Sequence, residues 1–115
     1  MRRKSGVLLP IEVSILEAGT DLRERGQDEF HGFLIAKEMR DRDAARRLTA
    51  HGTLYKALDR MERAGLLESR WEDPSIGAEA GRPRRRLYRV TGLGERAARA
   101  AGSAEIARAI EMAPA

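Results

Sequence analysis

Past Gly65 the apolar residues stop recurring every three or four positions and begin to alternate, so the chain must place helices first and a small extended ribbon after them. The segment before the switch, LTAHGTLYKALDRMERAGLL, repeats Leu54, Leu58 and Met61 at i, i+4 and i+7, with Ala57 on the same face. Thr53, Lys56, Arg60 and Arg63 lie opposite, so one face reads as core and the other as basic, and Gly65 stands where a left-handed residue ends a helix. After it, LLESRW sets Leu67, Ser69 and Trp71 against Glu68 and Arg70, and RRLYRV sets Leu87 and Arg89 against Tyr88 and Val90. These predict two short strands, joined by the Gly- and Pro-rich EDPSIGAEAGRPR as a long loop. Trp71 is expected mainly in the core of the strand pair, with a pocket near a dimer interface as the lesser alternative.

Two further helices are predicted upstream. Ile11, Ile15, Leu16 and Leu22, with Val13 and Ala18 alongside, predict a helix from Pro10 to about Arg25, with Pro10 in its first turn and Gly26 as its stop. Phe33, Leu34, Ile35, Ala36 and Met39 predict a second from about Phe30 to Arg42, capped by Asp28 or a neighbour and followed by the charged turn or loop DRDAARR. Downstream, Thr91 reads as the N-cap of a last helix whose apolar side is Leu93, Ala97, Ala101, Ile106 and Ile110, bent or interrupted at Gly102-Ser103. The fold class is mainly α with a small antiparallel β-hairpin (α+β).

A chain of 115 residues fits one domain, and with aromatics at only 4% its core must be mostly aliphatic. It has no run of eighteen apolar residues to span a membrane, and the apolar start of MRRKSGVLLP breaks at Pro10 and Glu12, too early for a signal segment. Without cysteine there are neither disulfides nor thiolate metal sites, which accords with the cytoplasm. His31 and His51, twenty positions apart, form no recognised metal spacing; no cofactor is expected, and His51 reads as a polar residue at the start of the third helix. No nucleophile triad, paired catalytic carboxylates or phosphate-cradling glycine loop is present, so nothing argues for an enzyme. A net charge of +4 hints at a polyanion, and its distribution sharpens the hint: Arg2, Arg3 and Lys4 at one end, and Arg82, Arg84, Arg85, Arg86 and Arg89 within GRPRRRLYRV.

Three helices followed by a two-stranded ribbon is the order of a winged helix-turn-helix, in which the third helix enters the major groove and the ribbon's loop, the wing, reaches phosphates or an adjacent groove. HGTLYKALDRMERAGLLESRWEDP followed by GRPRRRLYRVTGLG closely resembles the PadR family of bacterial transcriptional repressors, over roughly residues 8 to 96. Four separated elements carry the likeness in order: GTLY, AGLL, the aromatic-acidic pair in WEDP, and GRPRRRLYRVT. The resemblance implies a homodimer on an inverted-repeat operator in double-stranded DNA, paired through the C-terminal helix, and release by a small ligand or stress signal. The short stretch after the last helix is similar to the family's short subgroup. The expected organisation is a basic arm at 1–9, a DNA-binding domain at 10–91 and a C-terminal dimerisation helix at 92–115.

Gly52 and Thr53 open the third helix, where free backbone N–H groups and the helix dipole favour a phosphate; the alternative for Thr53 is an ordinary early helix residue. Lys56 is expected at a guanine or a phosphate. Tyr55 reads equally as a phosphate or thymine-methyl contact and as a ring packed under the wing. Arg60 is expected at a phosphate, whereas a solvated face is a serious rival for Arg63. Because strand residues alternate, Arg82, Arg84 and Arg86 are assigned to DNA and Arg85 to an Asp or Glu within the fold. The basic arm is expected to gain order, and phosphate contacts, on DNA. The alternative reading is a winged-helix protein-interaction module docking an acidic partner. RNA binding is less favoured for want of an exposed aromatic platform.

Overall fold

The computed structural model describes residues 8–42 and 51–112, with side chains described for 8–41 and 53–102. The basic arm at residues 1–7, most of the DRDAARR run and the side chains of His51, Ile106 and Ile110 lie outside the described set. The elements run α1 (Pro10–Glu24), α2 (Gly32–Arg42), α3 (His51–Arg63), β1 (Leu67–Trp71), α4 (Pro74–Glu79), β2 (Arg86–Val90) and α5 (Gly92–Met112).

Helix ends follow their local chemistry. The Leu9 N–H donates to the Glu12 carboxylate at 2.8 Å, satisfying an amide that α1 leaves open, and Pro10 occupies the first turn as expected. At the other end Gly26 N–H reaches the Arg23 carbonyl (2.9 Å) and Gln27 N–H the Leu22 carbonyl (2.8 Å), the paired bonds of a Schellman motif. The same pair closes α3, from Gly65 to Glu62 (3.0 Å) and from Leu66 to Met61 (2.9 Å), with Gly65 at φ 78°. A side chain at that left-handed angle would be strained, so Gly65 is what lets the chain turn from α3 into β1 across three residues.

The core is the one the helical spacing specifies. Ile15, Leu16, Ala18 and Leu22 of α1 pack with Ile35 of α2, with Leu54, Ala57, Leu58 and Met61 of α3, and with Leu66, Leu67, Tyr88 and Val90 at the ribbon. Truncating any one of the large aliphatic members to alanine is worth about 2–5 kcal/mol, so this cluster holds the three helices against the ribbon. Strands β1 and β2 pair antiparallel, Leu67 opposite Val90 and Trp71 opposite Arg86.

Four expectations are corrected. Phe30 is not in α2: it exchanges both backbone hydrogen bonds with Tyr88 (2.9 and 2.7 Å), adding a one-residue third strand, and its ring stacks on Tyr88 with centroids 6.1 Å apart. The α2 cap is not Asp28, which pairs with Arg23 at 3.5 Å; His31 Nδ1 accepts from Leu34 N–H at 3.3 Å instead. Phe33 lies in α2 as expected and is 63% exposed there, because the stripe that meets α1 runs through Ile35. Trp71 is 50% exposed rather than core, since the ribbon extends beyond the helices that cover its base. The expected loop between the strands holds α4, for which Asp73 accepts from Ser75 N–H at 2.9 Å ahead of Pro74.

The last helix begins as expected. Thr91 Oγ1 accepts from Gly94 N–H (3.0 Å) and donates to the Gly65 carbonyl (2.6 Å), so one side chain caps α5 and ties it to the end of α3. Helix α5 is continuous from Gly92 to Met112 through Gly102-Ser103, with no interruption there. Arg23 joins it to the rest, its guanidinium bonded to Glu95 and to the Val90 carbonyl.

Candidate nucleic-acid interface

Helix α3 presents its first turns to solvent. Gly52 is its second residue, and Thr53, Tyr55 and Lys56 are exposed while Leu54, Ala57 and Leu58 face the core. Among the described residues the Lys56 ammonium pairs with no carboxylate, leaving a free cation at the beginning of the helix. Tyr55 lies against the start of α2, where a Cβ on Gly32 would collide with its ring and hydroxyl; 47% of it remains exposed. Further along, Arg60 is bound across the helices: its Nε donates at 2.8 Å to Glu12, a carboxylate with no exposure at all. That pair aligns α3 on α1 and leaves the rest of a guanidinium that is 39% exposed. Arg63 pairs with Asp59 on its own helix surface, the rival role foreseen for it.

The wing is a folded unit and not an open loop. Helix α4 closes with Gly81 N–H on the Ala78 carbonyl (3.2 Å) and Arg82 N–H on the Gly77 carbonyl (2.9 Å), Gly81 taking φ 69°. The returning chain passes so close over α4 that a Cβ on Gly77 would sit 2.8 Å from the Arg82 carbonyl oxygen and 2.9 Å from Arg84 N.

Glu72 locks this unit to the ribbon. Its carboxylate accepts Arg82 Nη1 and Nη2 at 2.7 and 3.1 Å and the Arg85 amide at 3.2 Å, while its own N–H donates to the Arg85 carbonyl at 2.8 Å. Chiefly through the Arg82 hydrogen bonds, and then the Arg85 amide and the two charges, the Glu72 carboxyl is held down to about 2. A carboxyl harder to protonate when folded stabilises the fold above its unfolded value of 4.5 and loses that contribution as pH falls toward about 2. Acid unfolding of Glu72→Gln should therefore depend less on pH across that interval than the parent's; parallel curves would show that the carboxylate carries no such linkage.

Ion pairing sorts the arginines. Arg82 is committed to Glu72, Arg86 Nη2 to Glu62 at 3.2 Å, and Arg89 to Glu68. Glu62 also accepts Ser69 Oγ at 2.7 Å, and that hydrogen bond, more than the one from Arg86, holds its carboxyl below the ordinary range. Arg85, expected to pair with an acid inside the fold, does so through its main chain only. Among the described residues the guanidiniums of Arg84 and Arg85 meet no carboxylate. Arg84 and Arg86 share one face, as alternation requires, and both lie over Trp71, at 4.9 and 5.4 Å from the ring centroid.

The wing arginines reach the start of α2. Burial first, and then the charges of Arg85 and Arg82, push the His31 imidazole below its usual range, which keeps Nδ1 available as the α2 cap. Burial, before any neighbouring charge, pushes the Tyr88 phenol above its usual range, and the backbone pairing of Tyr88 with Phe30 sets β2 beside the start of α2. The starts of α2 and α3 and the root of the wing are thus neighbours. Sequence reasoning missed α4, although Asp73-Pro74 ahead of it and Gly81 behind it are the marks of a helix start and stop.

Solved structures share this architecture. A transcriptional regulator from Clostridium thermocellum matches with a TM-score of 0.67 at 22% identity, over 88% of this chain and 87% of that one. A PadR family transcription regulator from Clostridium difficile matches at 0.63 and 24% identity, over 81% and 83%. Another from Eggerthella lenta matches at 0.58 and 23%, over 86% and 82%. No curated protein matches the chain. The family model described as the transcriptional regulator PadR-like family matches residues 22–100, from the end of α1 to the middle of α5, and the chain belongs to that family.

Proposed function

We propose that this PadR-family regulator is a repressor that binds an inverted-repeat operator as a homodimer, with α3 in the major groove and the wing on flanking phosphates. The observation that carries the reading is the sorting of cations: among the described residues Lys56 at the start of α3 and Arg84 and Arg85 on the wing lack carboxylate partners, while the arginines behind them hold the scaffold. Lys56 reads a base edge or a phosphate; Thr53 and the amide of Gly52 meet a phosphate at the α3 N-terminus; Tyr55 keeps its exposed edge for DNA. Arg60 is shared, with Nε on Glu12 and the remaining N–H groups toward the backbone. Arg84, Arg85 and the outward edge of Arg86 serve the wing, and Arg82 braces it. Helix α5 pairs the protomers, and release by a small effector belongs to the same proposal through the family resemblance.

Selecting bound sequences from a random duplex pool tests this reading. The expected product is a palindrome whose half-sites lie about one helical turn, roughly 34–36 Å, apart. An unpaired half-site would remove the dimer and keep the readout. A pool that emerges unenriched would sink DNA recognition and turn the basic wing toward an acidic protein partner.

A further inference from the structure

We propose that Trp71 is the positioning residue of the wing: its indole face holds Arg84 and Arg86 so that Arg84 meets a DNA phosphate already oriented. This rests on the DNA-binding reading above. On the face of the ribbon that carries Trp71, burial falls away with distance from the helices, from Leu67 at 2% exposed and Tyr88 at 5% to Trp71 at 50%. An indole left half in water at that distance is met by two guanidiniums over its ring, with Arg84 Cζ at 4.9 Å and Arg86 Cζ at 5.4 Å from its centroid. Two like charges share one ring because the second is neutralised: Arg86 pairs with Glu62 at the end of α3, which fixes the stack to the recognition helix.

The direction of the stack is what matters for DNA. A guanidinium lying on an aromatic face uses its own flat face there and keeps its N–H edge free for the oxygens of a phosphate. Among the described residues Arg84 has no carboxylate to compete for that edge. Held on the indole, it surrenders its rotamer freedom before DNA arrives rather than on binding. Gly77 supports the same geometry from behind, since the close passage of the Arg84 backbone over α4 admits no side chain there.

The stack can be read without DNA, because Trp71 is the single tryptophan of the chain. Arg84→Ala should make Trp71 fluorescence more quenchable by acrylamide, while Arg85→Ala should leave it unchanged. Equal quenching in the parent and Arg84→Ala would show that the stack does not form, and would overturn the proposal whatever the protein binds. On the selected duplex Trp71→Leu should bind about three- to tenfold more weakly per wing, with Trp71→Phe recovering part of the loss. In a Trp71→Leu background Arg84→Ala should cost distinctly less than it costs the parent, a coupling that a merely structural tryptophan would not produce. Additive losses overturn the proposal while leaving DNA binding intact. A parent that selects no duplex ends the DNA reading and this proposal together, with the quenching result still reporting whether the stack exists.

Discussion

Gly94→Ala is expected to destabilise the protein by about 3 kcal/mol or more, although alanine is the better helix former and the position lies inside α5. The added methyl would fall on the Leu66 carbonyl oxygen, well inside contact distance, and at 3.0 Å from Val90 Cγ1 and 3.2 Å from Leu16 Cδ2. That carbonyl already accepts the Thr91 N–H at 3.1 Å, so it cannot withdraw without breaking the joint between β2 and α5. The entry to β1, the exit of β2 and the faces of α1 and α5 meet at this one point, and the nearest atom is backbone, with the buried Val90 and Leu16 side chains behind it. Denaturant unfolding provides the measurement, with Gly102→Ala as its internal comparison. Nothing lies within 4 Å of a Cβ built at Gly102, so there the same change should stabilise by about 0.5–1 kcal/mol. A parent-like midpoint for Gly94→Ala would mean that α5 does not seat on the ribbon as described. A loss at Gly102 would mean that the surface on which α5 pairs the protomers closes over that position.

The parts of this fold that were legible in the sequence are those written in local chemistry. The stripe of Leu54, Leu58 and Met61 specified the buried face of α3, Gly26 and Gly65 marked two helix ends, and Thr91 marked a helix start through an oxygen that can reach only nearby amides. The misreadings share a different cause. Phe30 belongs to a bridge one residue long, which has no period to detect, and Trp71 is an apolar residue placed where the scaffold stops covering it. Helix α4 was hidden by its glycines and proline, which read as loop until Asp73, Pro74 and Gly81 are recognised as its two ends.

The site shows the same division. Carrying the alternation of β2 back to Arg84, two residues ahead of the strand, correctly put Arg84 and Arg86 over one ring, because it depends on the local backbone alone. It could not say which arginine finds a carboxylate, because Glu72 meets Arg82 and Glu62 meets Arg86 only through a turn of α4 and the packing of α3 on the ribbon. The net charge of +4 is equally uninformative on this point. A cation already bonded to a carboxylate offers a phosphate little of its field. The number of charges available to a polyanion is set by the pairing and not by the composition.

That distinction leads to opposite outcomes for neighbouring arginines. The double variant Arg84→Ala with Arg85→Ala is expected to keep the parent's melting temperature, since neither guanidinium bonds a carboxylate among the described residues, and to lose affinity for every duplex alike. Each phosphate contact removed lowers the salt slope of log K by about 0.9, so the pair should flatten it by about 2 per protomer. Arg82→Ala should do the reverse. It strips Glu72 of two hydrogen bonds and leaves a largely buried carboxylate with only the Arg85 amide to satisfy it, so the melting temperature should fall while the salt slope of the folded protein stays near the parent's. Thermal unfolding and binding across a salt series separate the two. If Arg82→Ala instead flattened the slope as much as the double variant and melted like the parent, Arg82 would be a phosphate contact, and the Glu72 pair would have to open when DNA binds.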